Sequence, residues 1–218
     1  MFFSETSESS EEDVPQERSI SSDKEIKQCF KWEFQGKIYE LSLTIRKDLY
    51  EEFKSKERIL DYTRWADEYV AKGITGEIRE IAYQLFKFRK PFGTYEEVEF
   101  VLNFVQNVIK YETEEYEYPK YPLETLSEKK GDCEDFSILG AAILKSMGYE
   151  IALLFLPGHA ALGVAGVEGL KGYSIEYNGI KYYYCEMTDK GWQYGQIPQD
   201  LKGEPIEVYP VPNLICEV

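Results

Sequence analysis

The chain has 218 residues, of which 43% are hydrophobic and 15% aromatic, and its formal net charge is −15. That is enough apolar material for one substantial core, while so acidic a surface repels phosphate backbones and excludes nucleic acid as a partner class. The four cysteines, Cys29, Cys133, Cys185 and Cys216, form no CxxC pair, and a single histidine cannot complete a zinc set, so reduced thiols and no metal or other cofactor are expected.

Residues 1–24 are rich in Ser and Glu without apolar periodicity, and they read as a disordered acidic tail. The start turns acidic where a signal peptide would need a basic region and an apolar stretch. No apolar run approaches the ~20 residues of a spanning helix. A soluble, cytoplasmic chain with no membrane partner is the expectation, and nothing sets its oligomeric state.

Ordered structure is expected from about residue 25. Phe30, Trp32 and Phe34 alternate with polar residues, as do Tyr39, Leu41, Leu43 and Ile45 beyond Gln35-Gly36. Two period-2 runs across a short Gly turn predict a β-hairpin. From Lys47 to Gly73 the spacing of Tyr62, Trp65 and Tyr69 predicts a helix with these rings in the core. Residues 25–73 are read as a lead-in and 74–218 as the catalytic domain. A helix is predicted over 75–88 on the face Ile78, Ile81, Ala82 and Leu85. Another is predicted over 95–110, capped by Thr94 with Glu97 three residues on, its stripe being Val98, Val101, Leu102, Val105, Val108 and Ile109. The stretch YETEEYEYPKYPLETLSEKKG reads as a long polar, tyrosine-rich loop, a kind of segment that often borders a site.

Next comes KKGDCEDFSILGAAILKSMG. Asp132 is placed to cap a helix with Asp135 at its third position. From Phe136 to Leu144 only Ser137 is polar, so the helix should be buried all round, ending at Gly148. The remainder reads as β-structure: EIALLFL, a Pro-Gly turn, HAALGVAG, then YSIEY and IKYYYCEMT across an Asn178-Gly179 turn.

Cys133 thus opens a buried helix, where free N–H groups and the macrodipole lower a thiol's pKa, while its acidic neighbours raise it. A histidine could settle that balance by taking and returning the proton. His159 begins the second strand after the helix, a short route back to the helix N-terminus; the bland reading is a structural histidine at a strand end. A histidine base needs an acceptor on its other nitrogen. Alternation places Glu186 on one face with Tyr182 and Tyr184, within reach of the imidazole, and Asp189 is its competitor.

GDCEDFS before a buried helix, then LPGHAALGV, then an acid-bearing strand and GWQYGQIP, resemble the transglutaminase-like superfamily, and more narrowly its archaeal and bacterial members. The resemblance spans about residues 95–198. It implies an α+β, papain-like fold, with the nucleophile helix packed on an antiparallel sheet. It implies a Cys–His–acid triad of Cys133, His159 and Glu186, where the superfamily more often has Asp. HAA replaces the commoner His-x-Trp. The implied chemistry is thiol-dependent acyl transfer on protein or peptide amides, with the Cys133 backbone N–H as one oxyanion donor. Hydrolysis is favoured, against lysine cross-linking or a binding module of the same fold. Trp192 and Tyr121, with Tyr116 and Tyr118, are candidates to line a peptide groove; packing and loop anchoring is their alternative.

Overall fold

The structure, a computed structural model, describes residues 24–88, 94–166 and 170–214. The acidic segment expected to be disordered and Cys216 therefore lie outside the described residues, apart from Lys24.

Strands β1 (Glu25–Phe34) and β2 (Lys37–Arg46) pair antiparallel in unbroken register from Glu25–Arg46 to Phe34–Lys37. Gln35 and Gly36 close the hairpin with φ of 50° and 75°, the positive values that a two-residue turn of this hand requires. Its apolar face does not form a separate unit. Trp32 lies 5.0 Å from the ring of Phe104 and 5.5 Å from Phe100, both on α3 (Thr94–Val108), so hairpin and helices share one core.

The single helix expected over 47–73 is broken. Helix α1 (Lys47–Ser55) stops where Lys56 turns extended, and Arg58 Nη1 donates to the carbonyls of Phe53 and Lys56. After an extended stretch, Asp61 caps a 3-10 turn (Tyr62–Arg64), followed by a π-helical run (Ala66–Ala71). The wider π repeat changes which side chains share a face. Trp65 and Tyr69 are buried as expected, but Tyr62 is 40% exposed.

Helix α2 (Gly76–Phe88) buries the predicted face of Ile78, Ile81, Ala82 and Leu85. In α3 the stripe is buried at Val98, Val101, Leu102 and Val105; Thr94 is the first helical residue rather than a cap outside the helix. The expected tyrosine-rich loop contains a further helix, α4 (Pro122–Glu128), with Pro122 in its first turn and Glu124 Oε1 accepting from Tyr121 N–H. Two short strands, β3 (Lys110–Tyr111) and β4 (Lys130–Gly131), pair in parallel and bring the two ends of this segment together.

Helix α5 (Cys133–Ser146) is buried from Glu134 to Lys145. Gly140 lets the sheet close in: a Cβ there would stand 2.5 Å from Met187 Cε. Strands β5 (Ile151–Leu156), β6 (His159–Ala165), β7 (Ser174–Tyr177), β8 (Ile180–Cys185) and β9 (Glu207–Pro210) form an antiparallel sheet in the order β7-β8-β6-β5-β9. Alternation in β8 splits the side chains as expected. Tyr183 and Cys185 face the helical core with Met187 beyond them, while Tyr182 and Tyr184 join a second cluster on the other face. This is the expected α+β layout, with helix α5 packed on an antiparallel sheet. No described helix is long and apolar enough to cross a membrane.

Candidate active site

Cys133 is the first residue of α5, so its backbone N–H lies outside the helix's own hydrogen-bond ladder. A buried acid fixes this helix start. Asp135, fully buried, accepts from the backbone N–H of Asp132 at 3.4 Å, of Lys120 at 2.7 Å, and from Lys120 Nζ at 2.8 Å. Burial pushes Asp135 up to about 7, although Lys120 pulls the other way. Lys120 also bonds Glu114, tying the segment before α4 to helix α5. Asp135 is thus an anchor with a definite partner as well as a charge near the helix dipole.

The thiol is protonated at rest. Burial, then the Glu134 carboxyl, push Cys133 up to about 12, against a hydrogen bond from the Ala160 backbone that favours the thiolate. Sγ donates to Glu134 Oε2 at 3.3 Å; among the described residues its side-chain hydrogen-bond partner is Glu134, not His159. Glu134 itself is held well above the ordinary carboxylate range, first by burial and then by Asp132 beside it. A carboxyl kept neutral repels a forming thiolate less than the sequence suggests.

His159 opens β6 and pairs in register with Leu156 across the Pro157-Gly158 turn. Its Nε2 stands 3.0 Å from Glu186 Oε2. β6 and β8 are direct neighbours, with Leu162 opposite Cys185, which brings the residue after β8 near the start of β6. Glu186 is buried and heavily supplied with donors. Tyr184 Oη reaches Oε2 at 3.0 Å; Oε1 accepts from Met187 N–H at 3.0 Å, Thr188 N–H at 3.0 Å and Thr188 Oγ1 at 2.7 Å. Burial alone would raise this carboxyl, yet His159 and Thr188 bring it down to about 2. It is therefore ionised at neutral pH, and where Nε2–H donates to it, Nδ1 is the ring nitrogen left to accept a proton. From behind, Gln106 Nε2 on α3 holds the Glu186 carbonyl at 2.9 Å.

Cys133 and His159 line one cleft of about 680 Å³. One part of its wall is Leu60, Tyr62 and Trp65, and another is Phe155 to Ala160 around the β5–β6 turn. The remaining candidates lie elsewhere. Asp189 is exposed and accepts from Lys190 N–H, so it does not compete for His159. Tyr121 is 1% exposed, packs between Phe53 and Tyr69, and donates to Glu68; it anchors α4 and does not line the cleft. Trp192 is outside the cleft too, and its carbonyl is bound by Gln106 Nε2 at 3.2 Å. Of the other tyrosines, Tyr116 is 77% exposed and Tyr118 bonds Arg58 and Glu124. The acidic segment reaches the cleft through Thr113, Glu114 and Glu117 instead. Thr188 and Gln106 went unmarked in the sequence, while alternation placed Tyr184 on the Glu186 face without giving it a role.

Residues 76–167 match the family model of a transglutaminase-like domain. The chain carries a transglutaminase-like domain. The matched stretch runs from α2 into the residues just past β6, so it contains Cys133 and His159, while Glu186 follows it. Among solved structures, one from Cytophaga hutchinsonii named as a putative cysteine protease is 12% identical. That match covers 85% of this chain and 73% of the other, with a TM-score of 0.40. No curated protein matches the chain.

Proposed function

We propose that the transglutaminase-like domain catalyses acyl transfer from peptide amides to water through Cys133, His159 and Glu186, as a cysteine peptidase or amidase. The observation that carries this reading is the His159 Nε2–Glu186 Oε2 contact of 3.0 Å at the edge of the cleft that holds the Cys133 thiol. An ionised carboxylate on Nε2 fixes the tautomer and stabilises the imidazolium that forms when Nδ1 takes a proton.

Because the thiol rests protonated, transfer to His159 accompanies attack rather than preceding it. The S–H swings from Glu134 toward Nδ1, sulfur bonds to the carbonyl carbon, and the carbonyl oxygen becomes an oxyanion. The Cys133 N–H, at the positive end of α5, is one donor for that oxygen. Collapse of the intermediate breaks the C–N bond, and His159 returns its proton to the departing amine. Water, deprotonated by the same histidine, then cleaves the thioester.

The test offers glutamine-containing peptides with and without a primary amine to wild type, Cys133→Ala and His159→Ala, with products identified by mass. Hydrolysed product that requires both residues is the expected result. Amine-linked product in preference to hydrolysis would reassign the acceptor. Equal behaviour of all three proteins would favour a binding module instead.

A further inference from the structure

We propose that the cleft beside Cys133 selects peptides carrying a Lys or Arg side chain close to the amide under attack. This rests on the acyl-transfer reading above and names its substrate class. Among the described residues, five carboxyl residues line the cleft, Glu114, Glu117, Asp132, Glu134 and Glu207, and no Lys or Arg does so. They are not equivalent. Glu114 is matched by the buried Lys120, and Glu134 lies against the thiol. Glu117 and Glu207 have no cationic partner among the described residues. Glu207 accepts only phenolic hydrogens, from Tyr62 Oη at 3.2 Å and Tyr209 Oη at 2.6 Å.

The aromatic wall supplies an independent argument. Glu207 sits opposite Phe155 in the β5–β9 register. Phe155 is 5.1 Å from the Tyr62 ring, 5.6 Å from Trp65 and 5.8 Å from Tyr209. Of these rings, Tyr62, Trp65 and Phe155 line the cleft. Apolar faces beside a carboxylate that lacks a cation suit an amphipathic cation. The alkyl stem of Lys or Arg lies on the rings, and its charged head reaches Glu207 while gaining cation–π attraction. A neutral side chain of similar size gains the stem contact alone, and an acidic one meets repulsion.

Fluorescence anisotropy of labelled peptides on Cys133→Ala reads this preference without turnover. The peptides differ at one position flanking the target amide: Arg, Lys, Gln or Glu. The Arg and Lys peptides are expected to bind about 10-fold tighter than the Gln peptide at low salt, as two partly exposed pairs with a ring contact would give. The ratio should fall toward one in high salt and in Glu207→Gln, with Glu117→Gln as a second exposed site. Glu176→Gln, on β7 at the opposite edge of the sheet, controls for the acidic surface as a whole and should leave the ratio unchanged. Equal binding of the Arg and Gln peptides, or an equal effect of Glu176→Gln and Glu207→Gln, overturns the proposal. A preserved preference in a protein without turnover would sink only the catalytic reading.

Discussion

Replacing Thr188 by Val tests whether Glu186 is held as a carboxylate or merely packed. The change keeps the side-chain shape and the Thr188 N–H but deletes the hydroxyl that reaches Oε1 at 2.7 Å. The fall of Glu186 from 4.5 to about 2 corresponds to roughly 3 kcal/mol of native-state preference for the ionised form. His159 does the largest part of that work and Thr188 the next. A hydrogen bond to a charged group contributes about 1.5–3 kcal/mol in isolation, so one hydroxyl's share is about 1–2 kcal/mol. For a chain of this length the melting temperature should drop by about 3–6 °C at pH 7. The sign of the pH dependence follows from the depressed pKa. The stability is present above the ordinary carboxylate value of 4.5 and lost as pH falls through about 2. The wild-type–variant difference should therefore be full at pH 7 and shrink steadily below pH 4.5. Urea unfolding from pH 7 to pH 3 measures it. A loss of the same size at every pH would refute the charged-acceptor argument and leave only packing.

Glu134→Gln removes the carboxyl that accepts the Cys133 hydrogen, so the pH midpoint of Cys133 alkylation should move down from about 12 by about one unit. Mass spectrometry of the modified peptides reads this site by site, with exposed Cys29 as the accessible comparison and buried Cys185 expected to stay unmodified. The same substitution should reduce the alkaline loss of stability, because a carboxyl raised by burial favours the fold below its ordinary pKa and disfavours it as pH rises through the raised value. Alanine at two glycines should separate hard from soft contacts. Gly73→Ala meets the Tyr69 carbonyl at 2.1 Å and should cost more than about 2 kcal/mol, whereas Gly140→Ala meets the flexible end of Met187 at 2.5 Å and should cost about 1 kcal/mol. Chemical denaturation compares them, and equal losses would contradict the distinction.

The legible parts of the chain were those where one periodicity and one set of end signals agreed. The hairpin alternates cleanly on both sides of Gln35-Gly36, and α5 has an acid cap, an apolar body and a glycine stop. Tyr62, Trp65 and Tyr69 misled because their spacing suits an α-helix, while the chain is divided by the extended residues after Ser55 and continues with a π repeat. Helix α4 was hidden because its seven residues are too few to display a period; its signal was the pairing of Pro122 with Glu124. The placement of Cys133 at a helix start and of His159 at a strand start was readable from residue type and order. The cleft was not, because Tyr62, Phe155 and Glu207 meet only through the β5–β9 pairing and the path of the π-helical run. No local pattern encodes that meeting.

His159 is held by its ladder pairing with Leu156, and Glu186 by hydrogen bonds from Tyr184, Met187 and Thr188, so the spacing between the two is fixed from both sides. The spacing between Cys133 and His159 has no such ladder behind it. It depends on how α5 rests on β6, and on a sulfur that can turn about one bond. On the mechanism proposed above, the site divides into a stiff acid–base half and an adjustable nucleophile half. A molecule pressing into the cleft would find the imidazole waiting in a fixed position, and would spend its contacts on bringing the sulfur round to meet it.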